Sequence, residues 1–177
     1  MVGKRVAFWC RGLLAAATLG TAAPAIAQSN DAELTVRTDR PGSTIDPDIY
    51  GQFVEHLGRG VYEGIWVGPD SPIPNTRGIR NDVAAALRKI RVPVIRWPGG
   101  CFADAYHWQD GLGPRDRRPV GINSAWNETP ETNQFGIREF MDFIEQVGTK
   151  PFVWTNVGSG SVPEKRRLMV CYSTRNG

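Results

Sequence analysis

Four polar side chains fall where short apolar runs come to an end: Glu55 and His56 after "IYGQFV", Arg96 in "VIRWPGGC", and Asn156 in "WTNVGSG". A carboxylate and a guanidinium set close together can hydrogen-bond the hydroxyls of a polyol, or hold a further carboxylate in its charged form. The same two groups, Glu55 and Arg96, could instead pair with each other as an internal ion pair. Pro98-Gly99-Gly100 follows, where glycine lets the backbone turn sharply and lets another group approach it closely; its plain reading is a tight loop. Cys101 comes next. It is a nucleophile if His56 or His107 serves as its base, and a small buried residue if neither does.

Aromatics are dense in and after this loop: Trp97, Phe102, Tyr106, Trp108 and Trp126. The C–H face of a sugar ring presents an apolar surface that such rings can stack on, yet aromatic side chains also fill cores. Core filling is the expectation for Phe102 and Tyr106. Trp126 lies in the polar stretch "INSAWNETPETN" and is the better ligand contact. Two histidines, with no C-x-x-C spacing, give no zinc-like ligand set, so no metal is expected.

The elements that must position these residues follow a rhythm. Residues 49–55 read as a strand, and 81–90 as a helix with Asn81 as candidate cap and Val83, Leu87 and Ile90 on one face. "VPVIRW" is the next strand. The second helix carries Ile137, Phe140, Met141, Ile144 and Val147 at helical spacing, with Gly148 where a C-terminal cap belongs. "PFVWTNV" makes a third strand, and the alternation predicts a parallel sheet with crossover helices. Each helix returns to its next strand within a few residues, whereas the strand-to-helix loops run to roughly 25 and nearly 40 residues. The long loops all leave the carboxyl ends of the strands, the face on which parallel α/β folds build their sites. Ahead of this rhythm, "ELTVRT" predicts an edge strand; after it, "KRRLMVCYSTRNG" shows no clear helical stripe.

The first 27 residues have a basic start (Lys4, Arg5, Arg11), an apolar run and the small-residue pattern Ala25-Ile26-Ala27, which reads as a signal peptide cut after Ala27. The run is too short and too interrupted for a membrane anchor, so a secreted or periplasmic chain, free of the membrane after cleavage, is expected. Of 21 Lys and Arg residues, three lie in this leader, leaving 18 against 18 Asp and Glu. A neutral mature chain argues against nucleic acid or another polyanion as partner. Cleavage also removes Cys10, leaving too few cysteines for a disulfide-stapled scaffold.

Three long motifs, "IYGQFVEHLGRGVYEGIWVG", "IRNDVAAALRKIRVPVIRWPGGCFADAYHWQDGLGPRDRRP" and "ETNQFGIREFMDFIEQVGTKPFVWTNVGSG", resemble in order the N-terminal part of the catalytic domain of glycoside hydrolase family 51 α-L-arabinofuranosidases. The resemblance covers about residues 34 to 164. It implies the N-terminal part of a (β/α)8 TIM barrel, an incomplete barrel of about three of eight strands, with "ELTVRT" preceding it as a strand of an accessory β-sandwich. It also implies removal, with retention of configuration, of terminal non-reducing α-L-arabinofuranosyl residues from arabinan- and arabinoxylan-type hemicellulose. No cofactor is implied, and full-length relatives are commonly homo-oligomers.

Position by position, Glu55 matches a glutamate that hydrogen-bonds arabinose hydroxyls, and Arg96 matches an arginine set against the catalytic carboxylates. Cys101 falls where family members carry asparagine or cysteine in the sugar pocket, and Trp126 matches an aromatic on the loop covering the acceptor side. The family's acid/base lies in an Asn-Glu pair at the end of the fourth strand, and its nucleophile at the end of the seventh. The Asn-Glu pair of this chain, Asn127-Glu128, stands in the loop before the second helix and is not taken as a substitute, so no catalytic residue is expected here. The organisation expected is a leader over 1–27, a strand and linker over 28–48, a partial barrel over 49–164, and an unmatched basic tail over 165–177, as a frameshift or truncation would produce. Such a fragment would be inactive alone, or would survive as a non-catalytic arabinoside-binding module.

Overall fold

The computed structural model describes residues 33–173. The leader expected over 1–27 lies outside the described residues. The chain divides after Gly42. Of the first unit, residues 33–42 are described, and they contain a turn and an Arg37–Asp39 ion pair but no strand. The edge strand expected in "ELTVRT" is therefore absent: Leu34 and Val36 are 87% and 73% exposed, and alternation alone does not make a strand without a ladder partner.

The second unit is built on a three-stranded parallel sheet. Its strands are β1 (Gln52–Phe53), β4 (Val94–Trp97) and β7 (Lys150–Val153), ordered β1-β4-β7 with β4 central. Gln52 and Phe53 lie opposite Ile95 and Arg96, and Arg96 lies opposite Phe152 on its other side. Between β1 and β4 the chain makes a hairpin, β2 (Asn75–Thr76) with β3 (Ile79–Arg80), and then α1 (Asn81–Lys89). Between β4 and β7 come short 3-10 turns, a second hairpin of β5 (Gly121–Asn123) with β6 (Thr129–Glu131), and α2 (Ile137–Val147).

The strand, helix, strand, helix, strand order read from the sequence stands, with shorter strands. The first expected strand is reduced to two residues because Pro47–Tyr50 coils into a 3-10 turn capped by the Asp46 carboxylate. Asn81 opens α1 from inside rather than capping it; its Oδ1 accepts from the Thr76 hydroxyl at 2.7 Å, and Arg80 holds the cap position. The basic pair Arg88 and Lys89 in the last turn suits the negative end of the helix.

Alternation in β4 decides which residues meet the helices. Ile95 and Trp97 are fully buried, whereas Val94 and Arg96, pointing the other way, are half-buried. Helix α2 supplies Phe140, Phe143, Ile144 and Val147 to the same core, and the Phe140 ring stacks on Trp97 with centroids 5.2 Å apart. Gly148 ends the helix at φ +75°, its N–H bonded to the Ile144 carbonyl at 2.9 Å. Phe102, Tyr106 and Trp108 join the core, as expected for the first two.

The stretch after Glu164 is helical, contrary to the sequence reading. Helix α3 (Val162–Ser173) places Leu168 in the core, and Glu164 is gripped twice: its carboxylate by His107 Nδ1 at 3.0 Å, its carbonyl by Trp108 Nε1–H at 3.2 Å. Its weak apolar periodicity hid it, since these contacts rather than an apolar face hold its first turn.

Candidate functional site

The ladder between β1 and β4 continues beyond the strand ends, with the Val54 N–H donating to the Arg96 carbonyl at 2.8 Å and the His56 N–H to Pro98 at 3.3 Å. Extended backbone sends neighbouring side chains to opposite sides. Glu55 therefore meets Arg96, whose guanidinium donates to its carboxylate, while His56 turns into the protein.

Arg96 is held from both flanks. Its guanidinium carbon lies 4.7 Å from the ring centroid of Phe53 on β1 and 4.7 Å from that of Trp154 just after β7. One arginine thus ties the two outer strands across the central one. The ion pair weighed from the sequence is present, and both side chains keep an open edge, 23% exposed for Arg96 and 17% for Glu55. The Nε–H of Arg96 is buried without an acceptor, a donor left over after Glu55 is satisfied.

Gly99 passes beside Glu55 at φ +136°, and a Cβ there would stand 3.1 Å from Glu55 Cβ and Cγ. Close approach, one of the two readings of Pro-Gly-Gly, is thus realised. Cys101 opens the following 3-10 turn as a free, exposed thiol. The histidines are occupied elsewhere: His56 holds partners at both ring nitrogens, and His107 is bound to Glu164. Nothing supports Cys101 as a nucleophile with either base.

His56 and Asn156, two of the polar side chains at the ends of apolar runs, are both buried. The Asn156 side chain caps its own loop, accepting from the Ser159 and Gly160 N–H groups at 2.9 and 2.7 Å and donating to the Tyr106 carbonyl at 3.2 Å. The Nε2 of His56 accepts from Trp97 Nε1–H at 3.1 Å, and Nδ1 faces Glu131 Oε2 at 2.8 Å. Glu131 also accepts from the Tyr62 hydroxyl and from the Asn133 N–H at 2.8 Å. Burial alone would raise its carboxyl; the hydrogen bond from His56, then those from Tyr62 and Asn133, hold it below the ordinary 4.5. The Tyr62 phenol is pushed up by its own burial and by the Glu131 charge.

Trp126, at the turn end of the β5–β6 hairpin, is 41% exposed and stands over Gly58, where a Cβ would lie 3.6 Å from the indole nitrogen. It borders a cleft of about 250 Å³, with Arg59, Asn123 and Pro130 among its walls. Asn127 and Glu128 occupy the hairpin turn at φ +51° and +50°, both exposed, and not a strand end. A larger cavity of about 870 Å³ lies against α2, and its walls include the ion pairs of Arg77 with Asp142 and of Arg115 and Arg118 with Glu139. It contains none of Glu55, Arg96, Cys101 or Trp126.

Sequence reasoning missed the two rings around Arg96 and the whole Glu131 cluster. Phe53 and Trp154 were findable, because strand alternation puts them on the Arg96 side of the sheet. Glu131 was not, since it lies 75 residues from His56 with no periodic signal between them.

Residues 86–171 match the family described as the Alpha-L-arabinofuranosidase 1 domain, a match that runs on into α3. An intracellular exo-α-L-arabinofuranosidase of Bacteroides ovatus is 47% identical over 165 residues, 93% of this chain and 32% of that protein. The α-L-arabinofuranosidase C of Emericella nidulans is 45% identical over 81% of this chain and 28% of its own. Among solved structures, the GH51 arabinofuranosidase of Xanthomonas axonopodis pv. citri superposes with a TM-score of 0.70 at 55% identity, over 73% of this chain and 26% of that one. An arabinose complex of the Thermotoga maritima α-L-arabinofuranosidase gives 0.64 at 45% identity, over 68% and 24%. The chain thus spans about a third of the length of the curated relatives it matches.

Proposed function

We propose that this chain, which belongs to the glycoside hydrolase family 51 α-L-arabinofuranosidases as the counterpart of their N-terminal portion, carries the sugar-binding rim of such an enzyme. The three parallel strands are then the first of a (β/α)8 barrel. The ligand is a terminal, non-reducing α-L-arabinofuranosyl residue of an arabinan- or arabinoxylan-type glycan, and the whole enzyme hydrolyses it with retention. Glu55 accepts hydrogen bonds from sugar hydroxyls, Arg96 orients Glu55 and offers its spare Nε–H to a further acceptor, Cys101 lines the pocket, and Trp126 stacks on the acceptor side.

The observation that carries this reading is the Glu55–Arg96 pair, clamped between Phe53 and Trp154 with one donor unspent. Glu55 is engaged by Arg96, and Asn127-Glu128 is confined to a hairpin turn, so neither is proposed as acid/base or nucleophile. Purified full chain is expected to bind arabino-oligosaccharide and to leave 4-nitrophenyl α-L-arabinofuranoside intact, with binding lost in Glu55→Gln. Turnover by the purified chain that disappears in Glu55→Ala would overturn this division of labour. Arabinose-dependent thermal stabilisation without turnover supports a binding role.

Export belongs to the same proposal, resting on the leader-like sequence over 1–27. The Bacteroides ovatus relative is named intracellular, so the point is open to a direct check. An N-terminus at Gln28 on protein recovered outside the cytoplasm supports export; Met1 retained on cytoplasmic protein removes it.

A further inference from the structure

We infer that Glu131, reaching His56 from the β5–β6 hairpin, is a positioning residue that holds Glu55 and Trp126 in one frame. This rests on the sugar-binding reading of those two residues. His56 follows Glu55 directly, so whatever fixes the His56 backbone and ring also fixes the direction in which Glu55 leaves the strand.

The ring has one arrangement open to it. An indole N–H can only donate, so Nε2 of His56 accepts from Trp97, and Nδ1 carries the hydrogen that Glu131 receives at 2.8 Å. Phe102 stacks on the ring with centroids 4.5 Å apart and planes within 14°. The hairpin holds His56 a second time, through the Asn123 side-chain amide donating to the His56 carbonyl at 2.6 Å. Asn123 ends β5 and Glu131 ends β6, so both arms of the hairpin close on one residue.

Trp126 lies between those arms, its N–H donating to the Asn123 carbonyl at 3.2 Å. Glu131 itself is 5% exposed, with both oxygens engaged by protein donors, so it is not placed to touch a ligand. A buried carboxylate is a costly way to gain stability compared with apolar packing. What it adds is direction: a hairpin bonded to His56 cannot slide over the rim that Glu55 and Arg96 form.

The test uses full chain labelled with nitrogen-15, reading the His56 ring nitrogens, the Trp126 indole N–H and the affinity for α-1,5-arabinotriose. Glu131→Gln cannot accept from His56 and from the Asn133 N–H at once, and is expected to change the His56 signature, move the Trp126 indole and weaken triose binding about tenfold. Tyr62→Phe removes another partner of Glu131 while sparing the His56 bond; it should keep both signals and bind within about twofold of the parent. Unchanged His56 and Trp126 signals in Glu131→Gln, or equal changes in the two variants, would show a contribution to stability alone and overturn the inference. Should Glu131→Gln not fold, Glu131→Asp keeps the charge, shortens the reach, and is expected to move the same two signals; unmoved signals count against the inference. A parent chain that binds no triose sinks the sugar reading, while the two nitrogen signals still decide the positioning.

Discussion

At Gly99 a single methyl group separates the native rim from a strained one. Alanine would have to adopt φ +136°, at a cost of about 1–3 kcal/mol. Its Cβ would also press on Glu55 from 3.1 Å. Gly99→Ala is therefore expected to lower the denaturant midpoint and to weaken sugar binding by displacing Glu55, measured by chemical unfolding and titration. Gly113, at φ +77° with open space around it, gives the contrast: Gly113→Ala should show the backbone cost without the binding loss. Glu55 and Arg96 were legible as a pair because each closes a strand of one parallel sheet. The role of His56 was not, because the sequence shows that it follows Glu55 but not that extended backbone turns the two side chains apart, one outward and one into the core.

Element by element, α2 was the most readable part, since four of its five apolar positions at helical spacing, Ile137, Phe140, Ile144 and Val147, are buried, joined by Phe143 outside that spacing. The long loop between β4 and α2 was opaque because its order comes from polar contacts between distant residues. Arg118 is 8% exposed and gathers the carbonyls of Gly113, Asn133 and Gln134 together with the Glu139 carboxylate. Glu139 in turn receives the Gly136 N–H at 2.9 Å, which fastens the loop to the first turn of α2. Arg118→Met would leave that carboxylate buried with Arg115 as its remaining arginine, and is expected to cost about 3 kcal/mol in thermal or chemical unfolding. The β5–β6 hairpin brings a pH dependence. Because the folded Glu131 carboxyl titrates below 4.5, its contribution is complete above that pH and is lost as pH falls through the lower folded value. Unfolding free energy plotted against pH should accordingly be flatter below 4.5 in Glu131→Gln than in the parent.

Over the whole molecule, the parallel sheet has a covered face and an aromatic one. Helix α2 and the loop before it pack over Ile95 and Trp97. On the Arg96 side, Phe53 is 67% exposed, Phe152 52% and Trp154 41%. Exposed aromatic surface beside strand edges that carry no further strand among the described residues favours association. Purified chain is expected to bind a hydrophobic dye and to grow in apparent mass with concentration in sedimentation experiments. Phe152→Lys should reduce both, and a chain that stays monomeric and dye-negative across the range would contradict this account. The parallel order was legible from the alternation of strands and helices; the two-sided character of the sheet was not, since burial of a face depends on what packs against it.

Helix α3 begins with a grip on two side chains of the loop that starts at the rim, His107 and Trp108. Cys101 stands six residues before that grip, and Gly158, where a Cβ would come within 2.6 Å of the Asp104 carbonyl, presses the connecting strand tail against the same turn. Rim loop and the start of α3 are thus joined through these contacts. A disturbance arriving at the pocket mouth would be carried along that turn and read out as a change in the fraying of the helix start, far along the chain from where it began.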